Sequence, residues 1–254
     1  MSSYSKSLPG RRLGSDDPLL RDELSHDELS EGGRVMEIRN GKVILRDFVD
    51  TDIEDRIHWE TVETEWQLWD APWEYEQDEK PFDPEQYRSK MLERLSREKD
   101  ECRLRSGFQI CIDNPDGTHI GWCNSYRIDD QYNYTKDGTY CAIGINIPPL
   151  NARRCGYATA AWKLFIEYLI SNGMDQIYTQ TWSGNQGLIG LANELGFEEC
   201  HREPGFRRVR GKRYDALTFR LNTDKFRRFV TMYDVAQAAC SCRTQDQRPC
   251  SSAR

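Results

Sequence analysis

The chain has 254 residues and a formal net charge of −7. Its length suits one large domain, or one domain with tails, and its acidic balance argues against a general nucleic-acid binder, which needs an excess of Lys and Arg. No stretch approaches the roughly 18 uninterrupted apolar residues of a transmembrane helix, and the N-terminus has no apolar signal core. We therefore expect a cytoplasmic protein with no nucleic-acid or membrane partner.

The nine cysteines are odd in number and include no C-x-x-C pair. Without an export signal, this pattern favours free thiols in a reducing compartment. Cys240 and Cys242 lack further Cys or His residues at zinc spacing, so we expect no metal site.

Composition divides the chain into a central domain and two tails. Residues 1–35 are rich in Ser, Gly, Asp and Glu, which predicts a disordered acidic tail. Residues 230–254 end in a polar stretch without periodicity and predict a C-terminal tail, with at most a short helix around 230–239. About 194 residues, 36–229, remain for one α/β or α+β domain.

The first half of the domain predicts a strand, two helices and a hairpin. The strand is rich in β-branched residues, the helices follow Asp50–Asp52 and Pro84, and the hairpin encloses an Asn-Pro-Asp-Gly turn. In order, these elements are a strand at 43–48, a helix from 53 into 59–69, a helix after 84, and strands at 108–112 and 119–128.

The second half predicts alternating strands and helices. Pro148 ends the first strand, Asn172-Gly173 ends the first helix, and Ser183–Gln186 resembles a capping box that opens the second helix. In order, the elements are a strand at 140–147, a helix at 156–170, a strand at 174–182, a helix from 186 to 196, and strands at 197–200 and 213–221.

The sharpest local signal lies between the strand ending at Ile147 and the helix opening at Gly156. It consists of Arg153-Arg154-Cys155-Gly156-Tyr157-Ala158. A helix N-terminus presents free N–H groups and a partial positive charge, and a glycine lets the backbone approach an anion closely. The stretch therefore suits a pyrophosphate, although a surface loop whose glycine permits a turn fits the local pattern equally well.

This loop and four further blocks, which follow the family's order along the chain, carry a resemblance to a known family. The loop 153–158 is similar to the Arg/Gln-x-x-Gly-x-Gly/Ala pattern of the GNAT superfamily of N-acetyltransferases. Residues 142–147 match the family's central strand, and residues 181–197 match its Asn…Leu-Gly-Phe block. Residues 211–219 match its last hairpin, and residues 43–52 match its first strand and helix. The hairpin resembles the ribosomal-protein N-terminal acetyltransferase branch, and the whole resemblance covers about residues 36–225.

The resemblance implies an α/β (α+β) fold with acetyl-CoA as co-substrate. Its sheet is mixed and mostly antiparallel and splays beside the central strand, with helices on both faces. It implies that the pyrophosphate is held by Arg153, Arg154, Cys155, Gly156, Tyr157 and Ala158. Backbone groups of Ile145 and Ile147 are expected to pair with the pantetheine arm and to hold the developing oxyanion. Asn185 matches a position that hydrogen-bonds the arm in many relatives, with a helix cap as the alternative.

The usual catalytic acid and base of the family do not carry over. Positions that hold Glu, Ser or Tyr in relatives hold Ala142, Leu188 and Ala192 here. A thiol with a pKa of about 8.5 can leave without strong protonation, so direct attack by a neutral amine is still expected. The catalytic residues stay unassigned.

The segment between the first two helices is acidic and aromatic, and in the family it lines the acceptor side. Eight acids between 60 and 79 are uninterrupted by Lys or Arg and are interleaved with Trp and Tyr. We expect a cationic amine to be bound there by charge and cation–π contact. The residues predicted to bind it are Glu63, Glu65, Trp66 and Asp70. The alternative is a solvated acidic helix whose Trp residues are core.

Three functions follow as hypotheses. The favoured one is an acetyl-CoA-dependent N-acetyltransferase acting on a small cationic amine, similar to an aminoglycoside or a polyamine. The second is acetylation of a protein N-terminus, which the last hairpin favours. The third is a catalytically silent acyl-CoA-binding module, which Ala142, Leu188 and Ala192 favour. A homodimer is compatible with all three.

Overall fold

One eight-stranded sheet organises the domain, in the order β1-β2-β3-β4-β5-β6-β8-β7. The computed structural model describes residues 36–76, 82–97 and 104–245, so the predicted tail 1–35 and positions 246–254 lie outside the described residues. The strands are β1 (Glu37–Arg39), β2 (Val43–Arg46), β3 (Gly107–Ile112), β4 (His119–Ile128), β5 (Tyr140–Asn146), β6 (Ile177–Trp182), β7 (Phe197–Val209) and β8 (Lys212–Leu221). Only β5 and β6 pair in parallel among these strands, and every other pair is antiparallel. The predicted mixed, mostly antiparallel sheet is confirmed.

Six α-helices and two 3₁₀ turns accompany the sheet in the described residues. The helices are α1 (Asp52–Thr61), α2 (Pro72–Tyr75), α3 (Pro84–Ser96), α4 (Tyr157–Ser171), α5 (Gln186–Glu194) and α6 (Thr223–Gln245). The 3₁₀ turns are Thr64–Leu68 and Leu150–Ala152. Within the part of the chain that is described, no helix combines the length and the apolar character needed to cross a bilayer.

Helices cover both faces of the sheet, as predicted. Neighbouring residues of a strand point to opposite faces, and Trp122 and Cys123 of β4 illustrate the two sides. Cys123 belongs to the main core with Trp162 and Phe165 of α4, whereas Trp122 packs with Trp59 of α1. α4 therefore lies on one face and α1 on the other.

The C-terminal helix differs from its prediction. A short helix was expected around 230–239, but α6 spans Thr223–Gln245 and begins inside the predicted domain. Phe226 is buried against the main core, and Phe229, Val230 and Tyr233 pack beside it. These four residues recur at the i, i+3, i+4, i+7 spacing of an amphipathic helix, so the first turns of α6 belong to the folded domain.

Candidate active site

The sheet opens between β5 and β6. These strands pair over only three positions, from Cys141–Ile177 to Ile143–Thr179, after which β5 follows β4 and β6 follows β8. The N–H of Cys141 donates to a carbonyl on the β6 side, and backbone groups of alternate residues point the same way. Ile145 therefore directs its N–H and C=O into the opening, the position the resemblance implies for pairing with the pantetheine arm.

The loop from β5 to α4 ends in the predicted glycine. Gly156 is the N-cap of α4 and has φ of +77°, a left-handed conformation that glycine adopts without steric cost. A Cβ atom at this position would lie 2.9 Å from Nζ of Lys42. The amine of Lys42 therefore lies beside the N-terminus of α4, where the first amides of the helix are also available.

The two arginines of the loop have different surroundings. Nε of Arg153 donates to the carbonyl of Ile147 at 2.8 Å, Nη2 donates to the carbonyl of Pro148 at 2.9 Å, and Nη1 pairs with Glu65. Arg154 is exposed, with φ of +60°. Arg153 thus braces the loop, while Arg154 and Lys42 are the cations presented beside the helix N-terminus.

These residues fit the pyrophosphate of acetyl-CoA. The helix is 15 residues long, so its N-terminal amides carry the partial positive charge that favours an anion. Cys155 is exposed and its thiol faces the loop's own carbonyls, on Asn151 and Arg153, so its surroundings suit a small loop residue rather than a nucleophile. Lys42 was missed by sequence reasoning because it comes from the turn before β2.

The predicted acceptor residues Glu63 and Glu65 connect two parts of the site. We call residues 60–76 the acceptor segment. Oε1 of Glu63 accepts from the backbone N–H of Leu150 at 3.2 Å, and Glu65 pairs with Arg153 and accepts from the indole of Trp69 at 2.6 Å. Both carboxylates therefore attach the acceptor segment to the β5–α4 loop.

Trp66 occupies the core. It is 4% exposed, and its indole N–H donates to the carbonyl of Trp59 at 2.9 Å. The cation over the ring of Trp66 is Arg56, whose guanidinium lies 5.8 Å from that ring centroid and 3.4 Å from that of Trp122. Trp66 therefore has the environment of a core tryptophan, which was the alternative prediction. Burial keeps its ring from an incoming amine.

Asp70 lies at the opening between β5 and β6. Its carboxylate accepts a hydrogen bond from the side chain of Asn146, the last residue of β5. The carbonyl of the preceding residue, Trp69, accepts from Nε1 of Trp182 and from Nδ2 of Asn185, each at 2.9 Å. The acceptor segment therefore spans the opening, from the end of β5 to the end of β6 and the start of α5.

The surroundings of Asp70 change its acidity. Burial raises the pKa of the carboxyl to about 7, the cation of Arg56 opposes this rise, the charge of Glu60 adds to it, and the bond from Asn146 opposes it. Buried carboxyl groups behave in this way because the charged form loses its hydration. Asp70 thus titrates near neutral pH.

Asn185 serves as a helix cap. Its Oδ1 accepts from the N–H of Leu188 at 3.1 Å while its Nδ2 holds Trp69. The predicted capping box put the cap at Ser183, but the hydroxyl of Ser183 accepts from the N–H of Asp215 instead. In this structure both polar side-chain atoms of Asn185 bind protein groups. This is the helix-cap role, the alternative to the predicted contact with the cofactor arm.

Aromatic side chains and the β7–β8 hairpin enclose the acceptor side. Trp73 packs edge-on against Trp182 at 6.5 Å, and Trp182 packs against Tyr214 at 4.8 Å. Nη2 of Arg210, at the hairpin turn, donates to the carbonyl of Leu68 at 3.1 Å. The family's usual catalytic positions add no polar group, because Ala142 and Ala192 are fully buried and Leu188 packs against the main core.

Comparisons with known proteins bear on the family and the fold. Residues 42–198, more than half of the chain, match a family model described as an acetyltransferase (GNAT) domain. Among curated proteins, the comparison finds no match.

Several solved structures share the fold. A GNAT-family acetyltransferase from Bacillus anthracis is 12% identical with a TM-score of 0.52, over 73% of this chain and 98% of that one. A protein from Bacillus halodurans is 14% identical with a TM-score of 0.54, over 80% and 97%. RimL, a ribosomal alpha-N-protein acetyltransferase in complex with coenzyme A, is 10% identical with a TM-score of 0.53, over 74% and 97%. At these identities the likeness concerns the fold.

Proposed function

This chain belongs to the GNAT family of N-acetyltransferases, whose co-substrate is acetyl-CoA, and we propose that its acceptor is a small cationic amine. Acetyl-CoA supplies an acetyl group activated as a thioester. Lys42, Arg154 and the N-terminus of α4 are the groups suited to its pyrophosphate, and the backbone of Ile145 is suited to its pantetheine arm. An N–H donor on β5 can stabilise the negative charge that develops on the carbonyl oxygen during attack.

The observation that carries this proposal is the position of Asp70 at the opening. A carboxylate fixed there attracts a protonated amine. Trp73 and Trp182 are buried, and the partly buried Tyr214, which packs on Trp182, is the aromatic side chain suited to the apolar body of such a molecule. The silent-module hypothesis rested on the absence of titratable groups at the usual positions, and Asp70 supplies one from a different element.

A protein N-terminus is the second candidate. The β7–β8 hairpin reaches the acceptor segment through Arg210, and RimL, whose name states that it acetylates a ribosomal protein, has a similar fold. A peptide terminus is also a primary amine, so the same carboxylate would serve both acceptors. The two candidates differ in whether residues beyond the amine contribute to recognition.

The test is release of coenzyme A from acetyl-CoA with polyamines, aminoglycosides and short peptides as acceptors. We expect turnover with a small cationic amine and a higher kcat/KM than with any peptide. The reverse order would favour the N-terminal candidate, and no turnover with any amine would contradict the proposal.

A glycine variant tests the cofactor loop. Gly156→Asp places a carboxylate beside the proposed pyrophosphate site and is expected to raise the KM for acetyl-CoA at least tenfold. Gly173→Asp is the matched control, because Gly173 has φ of +84° near the other end of α4 and no atom within 4 Å of an added Cβ. Equal effects of both substitutions would assign the loss to backbone strain and not to the loop.

Location and assembly stay predictions. Five cysteines are free thiols, which a reducing, cytoplasmic compartment would preserve; they are Cys111, Cys123, Cys141, Cys155 and Cys200. The homodimer is to be tested by sedimentation of the purified protein.

A further inference from the structure

We infer that Asp70 is the general base of this enzyme, and that its carboxylate takes the proton of the acceptor ammonium as the nitrogen attacks. The inference rests on the proposed function, because only a protonated amine needs such a base. No group at the family's usual positions can do this work, since Ala142, Leu188 and Ala192 are apolar.

The proton balance is simple. The ammonium nitrogen loses two protons on becoming an amide: Asp70 takes the first and releases it to water, and the second ends on the departing sulfur. The lone pair freed by the first transfer forms the N–C bond, and the C–S bond breaks with its electron pair on sulfur. The products are the amide, the thiol and one proton.

The position of Asp70 is fixed from both sides of the opening. Asn146 holds the carboxylate from β5, and the two hydrogen bonds to the Trp69 carbonyl hold the backbone from the β6 side. On the C-terminal side, Ala71 and Trp73 are buried in a cluster with Trp182. A general base has to be within hydrogen-bond reach of the attacking nitrogen, and this carboxylate is held beside the strand whose end defines the opening.

Three side chains act on the carboxyl of Asp70. α1 contributes Arg56 and Glu60, whose Nε and Oε1 are 3.3 Å apart, and β5 contributes the neutral Asn146. Further charged residues in this region include Glu63 and Glu65 of the segment itself, Arg153, Arg207 and Arg210, which contact the segment, and His58 of α1, which lies 4.0 Å from Glu63. Burial nevertheless dominates and raises the pKa of Asp70 to about 7, which is near the optimum for a base that works at neutral pH.

Other acids near the opening are committed to structure. Glu63 and Glu65 bind Leu150 and Arg153. Glu60 pairs with Arg56 at 3.3 Å and accepts from Nε2 of Gln67 at 3.1 Å. Among these acids, Asp70 is the one that lies at the end of β5, where Asn146 holds its carboxylate.

Two acceptors of different basicity provide the test. An aliphatic amine with a pKa of about 10 is protonated at pH 7.5 and needs a base, whereas an aromatic amine is already neutral there. We expect Asp70→Asn to lower kcat about 100-fold or more with the aliphatic amine and less than threefold with the aromatic amine. Asp116→Asn, at an exposed acid in the turn between β3 and β4, is the matched control and should stay within twofold of the wild type.

The pH profile gives a second readout. The kcat of the wild type with the aliphatic amine should rise through an apparent pKa near 7, and this inflection should be missing in Asp70→Asn. Asn146→Ala keeps the carboxylate but removes a hydrogen bond that lowers its pKa, so the inflection should move to higher pH. Asp70→Glu should recover part of the lost kcat.

The outcomes separate the two proposals. If the wild type turns over neither amine, the proposed function fails and the general base falls with it. If the wild type is active but Asp70→Asn keeps its kcat with the aliphatic amine, or loses both acceptors equally, Asp70 is not the base. An unchanged inflection in Asn146→Ala would overturn the inference even if Asp70→Asn did not fold.

Discussion

At the scale of single residues, the burial of Asp70 carries a stability cost that depends on pH. The folded carboxyl has a pKa of about 7 against a usual value of 3.8. Between these values the folded state holds a proton that the unfolded state has released. The free energy of unfolding therefore falls as the pH rises from about 4 to about 7, and the loss is complete above the folded pKa.

Asp70→Asn should therefore stabilise the protein at high pH. Three pKa units correspond to roughly 4 kcal/mol at most, which sets an upper limit of about 8–16 °C in Tm for a chain of this length. We expect the Tm of the variant to exceed that of the wild type by several degrees at pH 8.5, with the difference shrinking towards pH 4. A Tm difference that does not change with pH would contradict the raised pKa, and the control Asp116→Asn should show no trend.

Sequence alone identified some residues of the site and missed others for a physical reason. Gly156 was found because its signal is local: a glycine, two arginines and a helix start lie within a few positions. Lys42 and Asn146 were missed because each acquires its role from contact with a distant segment. Among the tryptophans, Trp66 is buried and Trp69 is 42% exposed, and their spacing alone could not separate them.

At the scale of elements, the sequence predicted correctly the strands and helices that depend on local residues. It failed where contacts with distant segments decided the structure. The hairpin of β3 and β4 forms close to its predicted bounds, and the N–H of Gly117 closes its turn by donating to the carbonyl of Asn114 at 3.0 Å. The predicted capping box failed because Ser183 binds β8 through Asp215, which leaves the cap of α5 to Asn185. The helix predicted to run into 59–69 ends at Thr61, and a 3₁₀ turn follows.

The ion pair between Glu65 and Arg153 couples two elements of the site. It joins the acceptor segment to the β5–α4 loop, with side chains 36% and 24% exposed. Because the pair is partly exposed, we expect a coupling free energy of only about 0.5–1 kcal/mol in a double-mutant cycle of Glu65→Gln and Arg153→Met.

The two single variants should differ in function. Arg153→Met also removes the bonds to Ile147 and Pro148, so it should raise the KM for acetyl-CoA several-fold, whereas Glu65→Gln keeps those bonds and should change it less. Steady-state kinetics with varied acetyl-CoA measures both. Additive effects on stability would show that the pair does not link the segments.

At the scale of the whole molecule, the domain extends past the family match, which ends at residue 198. β8 fills the sheet between β6 and β7, and α6 then packs on the main core through Phe226. The backbone N–H of Asn222 donates to the carbonyl of Gly196, where an added Cβ would lie 2.9 Å from the backbone nitrogen of Phe226. The start of α6 is thus fixed against the α5–β7 turn.

Because of this packing, α6 is a structural part of the domain. Truncating the side chain of Phe226 should therefore destabilise the protein. Phe226 is 2% exposed, so Phe226→Ala should cost about 3–5 kcal/mol of unfolding free energy, or on the order of 10 °C in Tm. Met232, on the same helix, is 73% exposed, and Met232→Ala should leave Tm within about 1 °C. Calorimetry or thermal unfolding by circular dichroism measures both.

The same pair of variants separates stability from cofactor binding. α6 contacts α4 through Asp234, which pairs with Lys163 at 3.2 Å, well along the helix from Gly156. We therefore expect Phe226→Ala, assayed below its Tm, to keep the KM for acetyl-CoA within twofold of the wild type. A rise of tenfold or more at a temperature where the variant is folded would mean that α6 holds the N-terminus of α4 in place, and that the cofactor loop depends on the chain beyond the family match.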